Sequence, residues 1–576
     1  MPMTPKNLQI TLEGKGPITL RPSDHVATGG EGSIYKIGDS VVKIYTNPDE
    51  MRQRDIPSKI NLLKNLKHTY IVAPNGLATN PKNEPVGFYM PYVEGHPLSR
   101  VFTNDFYNLQ KFTKKHASTL IDRMRETVSF AHQHKATLVD ANELNWIVIL
   151  NKEPEPRIVD VDSWAISRWP ATVIMPSIRD WHSKTFDEKT DWFAWGIVTF
   201  QIYTGLHPYK GTLDGFDRGD LEGRMKSNAS VFSSGVRFNR AVRDFSCIPG
   251  KLLNWYEATF QKGERVLPPS PFDTGISTPR AALIMRTVTT KTGTLIFEKI
   301  LETVNDPAIR IFHCGIALLS SGNLIDLNTK RTIATASSLF CEIIKVDKGW
   351  VLADRENGEF KFKFIEEGSL KTENLSIQIN GRRILSYENR LFIVTESGLT
   401  EIVYHNLGKP IVSASQTWGV MVNSTKWFNS GVGVQDAMGA MFIVTPFGDK
   451  SVATTRVKEI DKIQIVAAKS GNRFVSMIGV DKKGSYRKFE LTFDKEYKTY
   501  KIWDGRCDSA ELNIAILPKG VCATIIEDGE LDIFVPTNGT LNRIEDKNIA
   551  TDMILANWGD RVMYIQNGNV WGLRVK

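Results

Sequence analysis

The chain is 576 residues long, 41% apolar and 24% charged, a balance typical of globular protein at a length beyond one hydrophobic core, so two to four domains are expected. The formal charge of +8 is modest for this length; no Lys/Arg run marks a nucleic-acid arm, and Lys114-Lys115 fit a solvated helix face. Five widely spaced cysteines without a CxxC pair point to a reducing, cytoplasmic setting, and neither a membrane-length apolar run nor a secretory core is found.

The segment 8–45 alternates β-rich runs with glycines and reads as short strands joined by turns. Within it, Ala27-Thr28-Gly29-Gly30-Glu31-Gly32-Ser33-Ile34 is a glycine-rich turn, and Val41-Val42-Lys43-Ile44 is a strand carrying one lysine. Glycines let main-chain N–H groups approach phosphate oxygens, and a lysine adds positive charge. A plain β-turn, with Lys43 on a solvent-facing edge, fits the same residues. From Asp49 to Lys67, Ile56, Ile60, Leu63 and Leu66 fall on one face of a helix. A strand from Val86 runs into a turn at Glu94-Gly95, and a long helix is expected over about 107–134.

Between Ala131 and Asp162 two polar clusters interrupt an apolar pattern. Asp140 and Asn145 precede the run 146–150, and Ile158-Val159 precede Asp160 and Asp162. The runs 146–150 and 157–159 read as a hairpin that brings Asn145 and Asp160 to one end. Two aspartates and an asparagine without His or Cys make a hard oxygen set, suited to Mg²⁺ on phosphates and not to zinc. Ordinary turn formers on a solvated hairpin are the alternative. Downstream, a helix through Thr190-Asp191-Trp192 ends at Thr204-Gly205-Leu206-His207-Pro208-Tyr209, with glycine and proline in the order a helix stop requires. Another helix is expected at Trp255–Phe260, followed by Arg265 and Pro268.

In this order the motifs resemble those of the protein-kinase family in a divergent form. The resemblance covers about residues 1–275 and implies an α+β bilobal fold, the small lobe over about 1–92 and the large lobe over about 93–275. It implies that Gly29, Gly30, Gly32, Ile34 and Lys43 hold the phosphate side of ATP, with Met90 and Val93 at the adenine. By the same resemblance Asp140 aligns the attacking hydroxyl, while Asn145 and Asp160 hold Mg²⁺. Asp162, in place of a glycine, is either a further metal ligand or a residue tolerating an unusual backbone angle.

Several positions depart from the family pattern. Ala27 replaces the first glycine, and Lys59 stands where a helix glutamate usually pairs with the strand lysine, leaving Asp55 as a substitute. Leu138-Val139 replace His-Arg, which removes the receiver of an activation-loop phosphate. Asn142 replaces a lysine, and Met175-Pro176-Ser177 replaces Ala-Pro-Glu. The implied activity is ATP- and Mg²⁺-dependent phosphoryl transfer to Ser/Thr hydroxyls of a protein. A nucleotide-binding pseudokinase scaffold is the alternative that Lys59 and Asn142 favour. A small-molecule phosphotransferase is a third, from which the glycine-rich turn and the Thr-Gly-x-x-Pro-Tyr turn lean away.

A breaker-rich linker is expected at about 268–280. Beyond it helical periods vanish, and short strands recur with Gly, Asn and Asp turns. Starting points repeat roughly every 40 residues, as in IFHCGIALLSSGNLIDL and ILSYENRLFIVTESGLTEIVY, the spacing of four-stranded propeller blades. Residues 281–576 are therefore expected to form an all-β domain, a β-propeller of six or seven blades, with a β-sandwich pair as the alternative. Its expected role is to recruit a protein substrate or regulatory partner, with no nucleic-acid or membrane partner. Trp350, Trp418, Trp427, Trp503, Trp558 and Trp571 are expected in blade cores.

Overall fold

A computed structural model describes residues 7–274 and 295–575, apart from 172, 173, 218, 239, 240, 357, 358, 378, 429, 449, 519, 527–529, 537, 538 and 547. The expected linker lies outside the described residues from 275 onward. The protein is multi-domain and mostly β.

The first part opens with seven strands: β1 (Leu8–Leu12), β2 (Gly16–Leu20), β3 (His25–Thr28), β4 (Gly32–Ile37), β5 (Ser40–Tyr45), β6 (Gly76–Thr79) and β7 (Pro85–Pro91). They form one sheet in the order β2-β1-β6-β7-β5-β4-β3. Side chains alternate across it. Val42 and Tyr89 pack with Ile10, Leu12 and Leu20 on one face, while Val41, Phe88 and Met90 join the helical core on the other.

The helix expected over 49–67 is two helices, α1 (Pro48–Gln53) and α2 (Ile56–Leu63). Asp55 between them adopts a left-handed backbone, φ 52°, and Pro57 sits in the first turn of α2, where its missing N–H costs nothing. The expected face survives: Ile56, Ile60, Leu63 and Leu66 are all buried.

Next come β8 (His96–Pro97), α3 (Leu98–Val101), α4 (Asn104–Leu109) and α5 (Lys114–Gln133). The long helix begins seven positions later than expected, because Thr113 caps it and accepts the His116 N–H (3.2 Å). β9 (Ala136–Thr137), β10 (Trp146–Leu150), β11 (Pro154–Ile158) and β12 (Ala165–Ile166) follow. β10 and β11 form the expected hairpin, but its second strand takes in Pro154 and Pro156. The sheet order β11-β10-β8 makes β11 an edge, where proline is tolerated. Helices α6 (Glu188–Thr204), α7 (Leu221–Lys226) and α8 (Gly250–Phe260) complete this part. α6 is apolar all round and buried, and Gly205 ends it at φ 75°.

The second part is all-β. Seven four-stranded antiparallel sheets succeed one another, their first strands at Ala308–Ile311, Glu342–Val346, Arg383–Tyr387, Thr425–Trp427, Gln464–Gly471, Ile514–Ile516 and Ile554–Trp558. Each sheet shares a core with the next: Phe312 and Leu318 with Ile343 and Leu352, then Val351 and Phe364 with Leu391 and Ile402. The seventh meets the first through Met563 and Val570 against Ala317 and Leu319, so the sheets close into a ring. The strand Leu295–Leu301 is the outermost strand of the seventh sheet, paired with Asn569–Val575. Trp350 and Trp427 are buried, and the other four tryptophans are half-buried.

The five cysteines are free thiols, and no helix among the described residues is long and apolar enough to cross a membrane. The ring rests directly on the first part. Asp436 accepts the Thr28 N–H (2.7 Å), Glu511 accepts the Asn104 N–H at the start of α4 (2.6 Å), and Lys210 donates to the Asp508 carbonyl (2.7 Å).

Candidate functional site

Lys43 is the centre of a buried ionic cluster. β5 is an inner strand of the sheet, so the lysine has no edge to face solvent from. It shares a face with Ile34, its cross-strand partner on β4, and with Met90, the partner of Val41 on β7. Its Nζ donates to Asp160 Oδ1 (2.7 Å) and to Asp162 Oδ2 (2.7 Å), with Glu31 Oε2 at 3.8 Å. Burial pushes the ammonium down, but the carboxylates of Asp162 and Asp160 outweigh it and hold Lys43 above its ordinary value. The structure thus joins the glycine-rich turn and the lysine strand to the end of the hairpin, whose two aspartates lie 117 and 119 positions beyond Lys43.

Asp55 does not pair with Lys43. It lies at the exposed junction of α1 and α2, bonded to Ser58 and paired with Arg168. The expected lysine–glutamate pair is replaced by Lys43 with Asp160 and Asp162. Lys59 is fully buried and donates its Nζ to the Asp162 carbonyl (2.6 Å); burial pushes it down to about 8. A lysine at this position therefore holds the main chain of the acidic loop instead of neutralising Lys43. Tyr45, two positions beyond Lys43 on the same face, donates its hydroxyl to Asp162 Oδ2 (2.6 Å).

Asp160 carries the unusual backbone, at φ 60°, and Asp162 lies in the short turn Val161–Ser163 that follows. Burial holds Asp160 above the usual carboxylate range. At Asp162 burial acts the same way, yet Lys43 and Tyr45 hold it below. One oxygen of Asp162, Oδ1, is buried and takes no hydrogen bond among the described residues. The two aspartates form no group with a third His, Cys, Asp or Glu that could hold a metal by itself among the described residues. A cation here would need the Asn145 amide oxygen and a ligand's own oxygens as well.

Asn145 and Asp160 do share one end of the hairpin. Trp146 pairs with Ile158, and the Val159 N–H donates to the Asn145 carbonyl (2.9 Å). Asn145 also donates its side-chain amide to the Asp140 carbonyl (2.8 Å), tying the two ends of its loop. Asp140 is raised by burial, while its Oδ1 accepts the Met175 N–H (2.8 Å). Asn142 is buried and caps the Leu144 N–H (2.8 Å).

Asp191 on α6 sets the start of that loop. It is buried and accepts the N–H groups of Leu138 (2.7 Å) and Val139 (2.8 Å) and the ring of His132 (2.9 Å). Val139 is held at φ 62°, a costly angle for a β-branched residue. Only a surrounding that over-determines the backbone keeps it there.

The three loop glycines differ. A Cβ at Gly32 would collide with the Ile44 carbonyl, so β4 and β5 require glycine at that point; at Gly29 and Gly30 the space is open. Neither of those two is demanded by packing; the Gly29 N–H donates to the Gly32 carbonyl (2.8 Å), and Gly30 is the more open of the pair. Val93 is half-buried, packed against the helical core beyond β7.

Several contributing residues gave no sequence signal. Asp180 pairs with Arg265 through both oxygens (2.6 and 2.9 Å), pinning the 175–180 segment beneath α8. Glu143 in the Asp140 loop is buried against Tyr486 of the ring (3.4 Å). Gly484 of the ring lies so close to Met175 and Ser177 that no side chain fits there. Compared with known proteins, the chain matches no family model, and no curated relative is found.

Proposed function

We propose that residues up to about 275 form a divergent protein-kinase-like domain that transfers phosphate from Mg-ATP to Ser/Thr hydroxyls of a protein. The ring that follows is read as a seven-bladed β-propeller that recruits the substrate or a regulatory partner. The observation that carries the reading is the buried lysine of an inner strand bonded to two aspartates at the hairpin end, beside an Asp–Asn loop braced from a buried helix. The open space at Gly30 supports the approach of a phosphate to the main chain of this turn.

Asn145, Asp160 and Asp162 fit a divalent cation by donor chemistry, and the orphaned Asp162 Oδ1 is a spare buried acceptor. When bound, Mg-ATP supplies the phosphoryl group with part of its charge neutralised. The chain's own contribution is positioning and charge. Lys43 offers a positive charge to phosphate oxygens, Ile34, Met90 and Val93 wall the base side, and Asp140 accepts the proton of the aligned hydroxyl at its carboxylate. Burial raises Asp140 and so makes it a better proton acceptor than an exposed aspartate.

A second reading, a nucleotide-binding scaffold without transfer, is favoured by Lys59 and by the full engagement of Lys43 with Asp160 and Asp162. The two readings part in one experiment. Purified full-length protein with labelled Mg-ATP is expected to label itself or a generic protein acceptor, and Asp140→Ala to remove the label. Wild type and variant equally silent, with ATP still bound, would give the answer to the scaffold.

A further inference from the structure

The ring surrounds a chamber of about 1790 Å³ that is bounded on one side by α3, α4 and the Glu94–Pro97 segment. That exceeds the roughly 300–1,000 Å³ of an ordinary ligand pocket. Nine Lys/Arg and six Asp/Glu residues line it, so the wall is positive on balance. The basic residues are also ordered. Arg310, Arg383, Lys426 and Lys469 sit on the first strands of the first, third, fourth and fifth sheets, and Arg100 of α3 faces them.

Each ring cation donates to a main-chain carbonyl at the first strand of the next sheet. Arg310 reaches Cys341 (3.1 Å), Arg383 reaches Trp427 (2.7 Å), Lys426 reaches Ile465 (3.1 Å) and Lys469 reaches Ile514 (2.6 Å). Tying one strand to the next needs a donor, not a charge. Two of the chamber's carboxylates are already committed: Glu342 chelates Arg310 (2.8 Å to each oxygen), and Asp105 pairs with Arg100 (3.0 Å). Glu511 caps α4 through the N–H groups of Asn104 and Asp105. Lys426 and Lys469 donate to carbonyls and form no salt bridge among the described residues, the Asp105 carboxylate acting on Lys469 only at longer range. Burial pushes both down to about 8, and Arg100 adds to the effect at Lys426. Among the described residues Lys426 has no carboxylate acting on it, and the one that acts on Lys469, Asp105, is already paired with Arg100, so an anion that enters the chamber stabilises both desolvated lysines.

We propose that this chamber is a binding site for a small phosphate-bearing anion, held by Lys426 and Lys469 of the ring and Arg100 of α3. Phosphate suits the arrangement because its oxygens accept from several donors arriving from different strands, and lysine serves it as a point charge. The ligand bridges the two parts of the chain, since its donors come from both. The proposal is independent of the ionic cluster at Lys43.

The test is calorimetric titration of the full-length protein with cyclic trimetaphosphate, a compact trianion that does not titrate near neutrality, without magnesium. Wild type is expected to bind about one equivalent, the Lys426→Gln/Lys469→Gln variant to lose roughly tenfold or more in affinity, and Lys43→Met to match wild type. Glutamine keeps a donor for each carbonyl, which preserves the strand ties. Equal affinity in the double variant, loss of binding in Lys43→Met, or no binding by ~1 mM in wild type would each overturn the proposal. A second measurement needs no variant. At pH ~8.5 the anion should draw protons onto the two lysines, read from the heats in two buffers of different ionisation enthalpy. The other groups facing them are His96, Arg100, Arg310, Arg383, Asp105 and Glu511; of these Glu511, raised by burial to about 7, also gains protons as an anion enters, but a smaller share than the two lysines, which lie closer to that pH. Binding without proton uptake sinks the assignment.

Discussion

Asp191→Ala is the sharpest perturbation of the candidate site, because the side chain touches none of the proposed reacting groups and yet sets the loop that carries Asp140. Its carboxylate is the acceptor for two buried main-chain N–H groups and the His132 ring. Alanine leaves the Leu138 and Val139 amides unsatisfied at about 1–3 kcal/mol each. Against this, Val139 is freed from a left-handed angle that costs about 1–2 kcal/mol. Taking the middle of each range, the net loss is about 2–3 kcal/mol, which in a domain of this size lowers the melting temperature by roughly 4–12 °C. Asp191→Asn keeps one oxygen, satisfies one amide and should lose about half as much. Scanning calorimetry of the full chain reads the shift, and labelling with Mg-ATP should fall in parallel, since the Asp140 N–H bonds to the Leu138 carbonyl (2.7 Å). A loss below about 1 kcal/mol would refute the reasoning, for it would mean that water replaces the carboxylate and the loop holds its shape unaided.

Three further outcomes follow from contacts elsewhere. His207 is buried, donates from Nε2 to the Ser177 carbonyl (2.8 Å) and accepts the Tyr209 N–H at Nδ1 (3.2 Å), so a second ring proton would face a donor. Burial pushes it down to about 3; the unfolded chain therefore takes the proton first, and stability is full above about pH 6.5 and falls as pH drops toward 3, by roughly 2 kcal/mol at pH 5. Urea unfolding at pH 7 and 5 should show that loss in wild type and a flatter response in His207→Gln. Arg265→Ala strands the buried Asp180 carboxylate and should cost about 3–5 kcal/mol, with the 175–180 segment becoming the first site of limited proteolysis. Deleting 569–575 removes the strand that joins Leu295–Leu301 to the rest of the seventh sheet, and the ring should then lose its cooperative unfolding transition, visible as a broad denaturant curve.

The all-β second half was legible because strand, turn and repeat length are local properties, and Gly, Asn and Asp mark the turns. The number of sheets was not, since the seventh borrows a strand from the other end of the domain. In the first half, β10–β11 and α6 could be read from apolar runs and caps. The split of the 49–67 helix could not, because it rests on one left-handed residue, Asp55, in a stretch with unbroken helical spacing. The grouping of Lys43, Asp160 and Asp162 was readable as chemistry, but its pairing pattern was not. Lys59 looked like a defect in a charge pair and is a main-chain anchor. Tyr45 could have been found from its two-residue offset to Lys43, whereas Asp180, Glu143 and Asp436 depend on partners tens to hundreds of positions away.

The ring grips both the seven-stranded sheet and the helical part of the first half with adjacent sheets. Its fourth sheet holds the rim of the seven-stranded sheet, through Asp436 on Thr28, and its fifth presses on the helical side, through Gly484 on Met175 and Ser177 and Tyr486 on Glu143. Those two sheets share a close-packed core of Val434, Ile443, Val475 and Met477, which resists shear. The second half of the chain therefore works as a splint: the seven-stranded sheet cannot rock over the helices without either sliding one sheet of the ring past its neighbour or letting go of one rim.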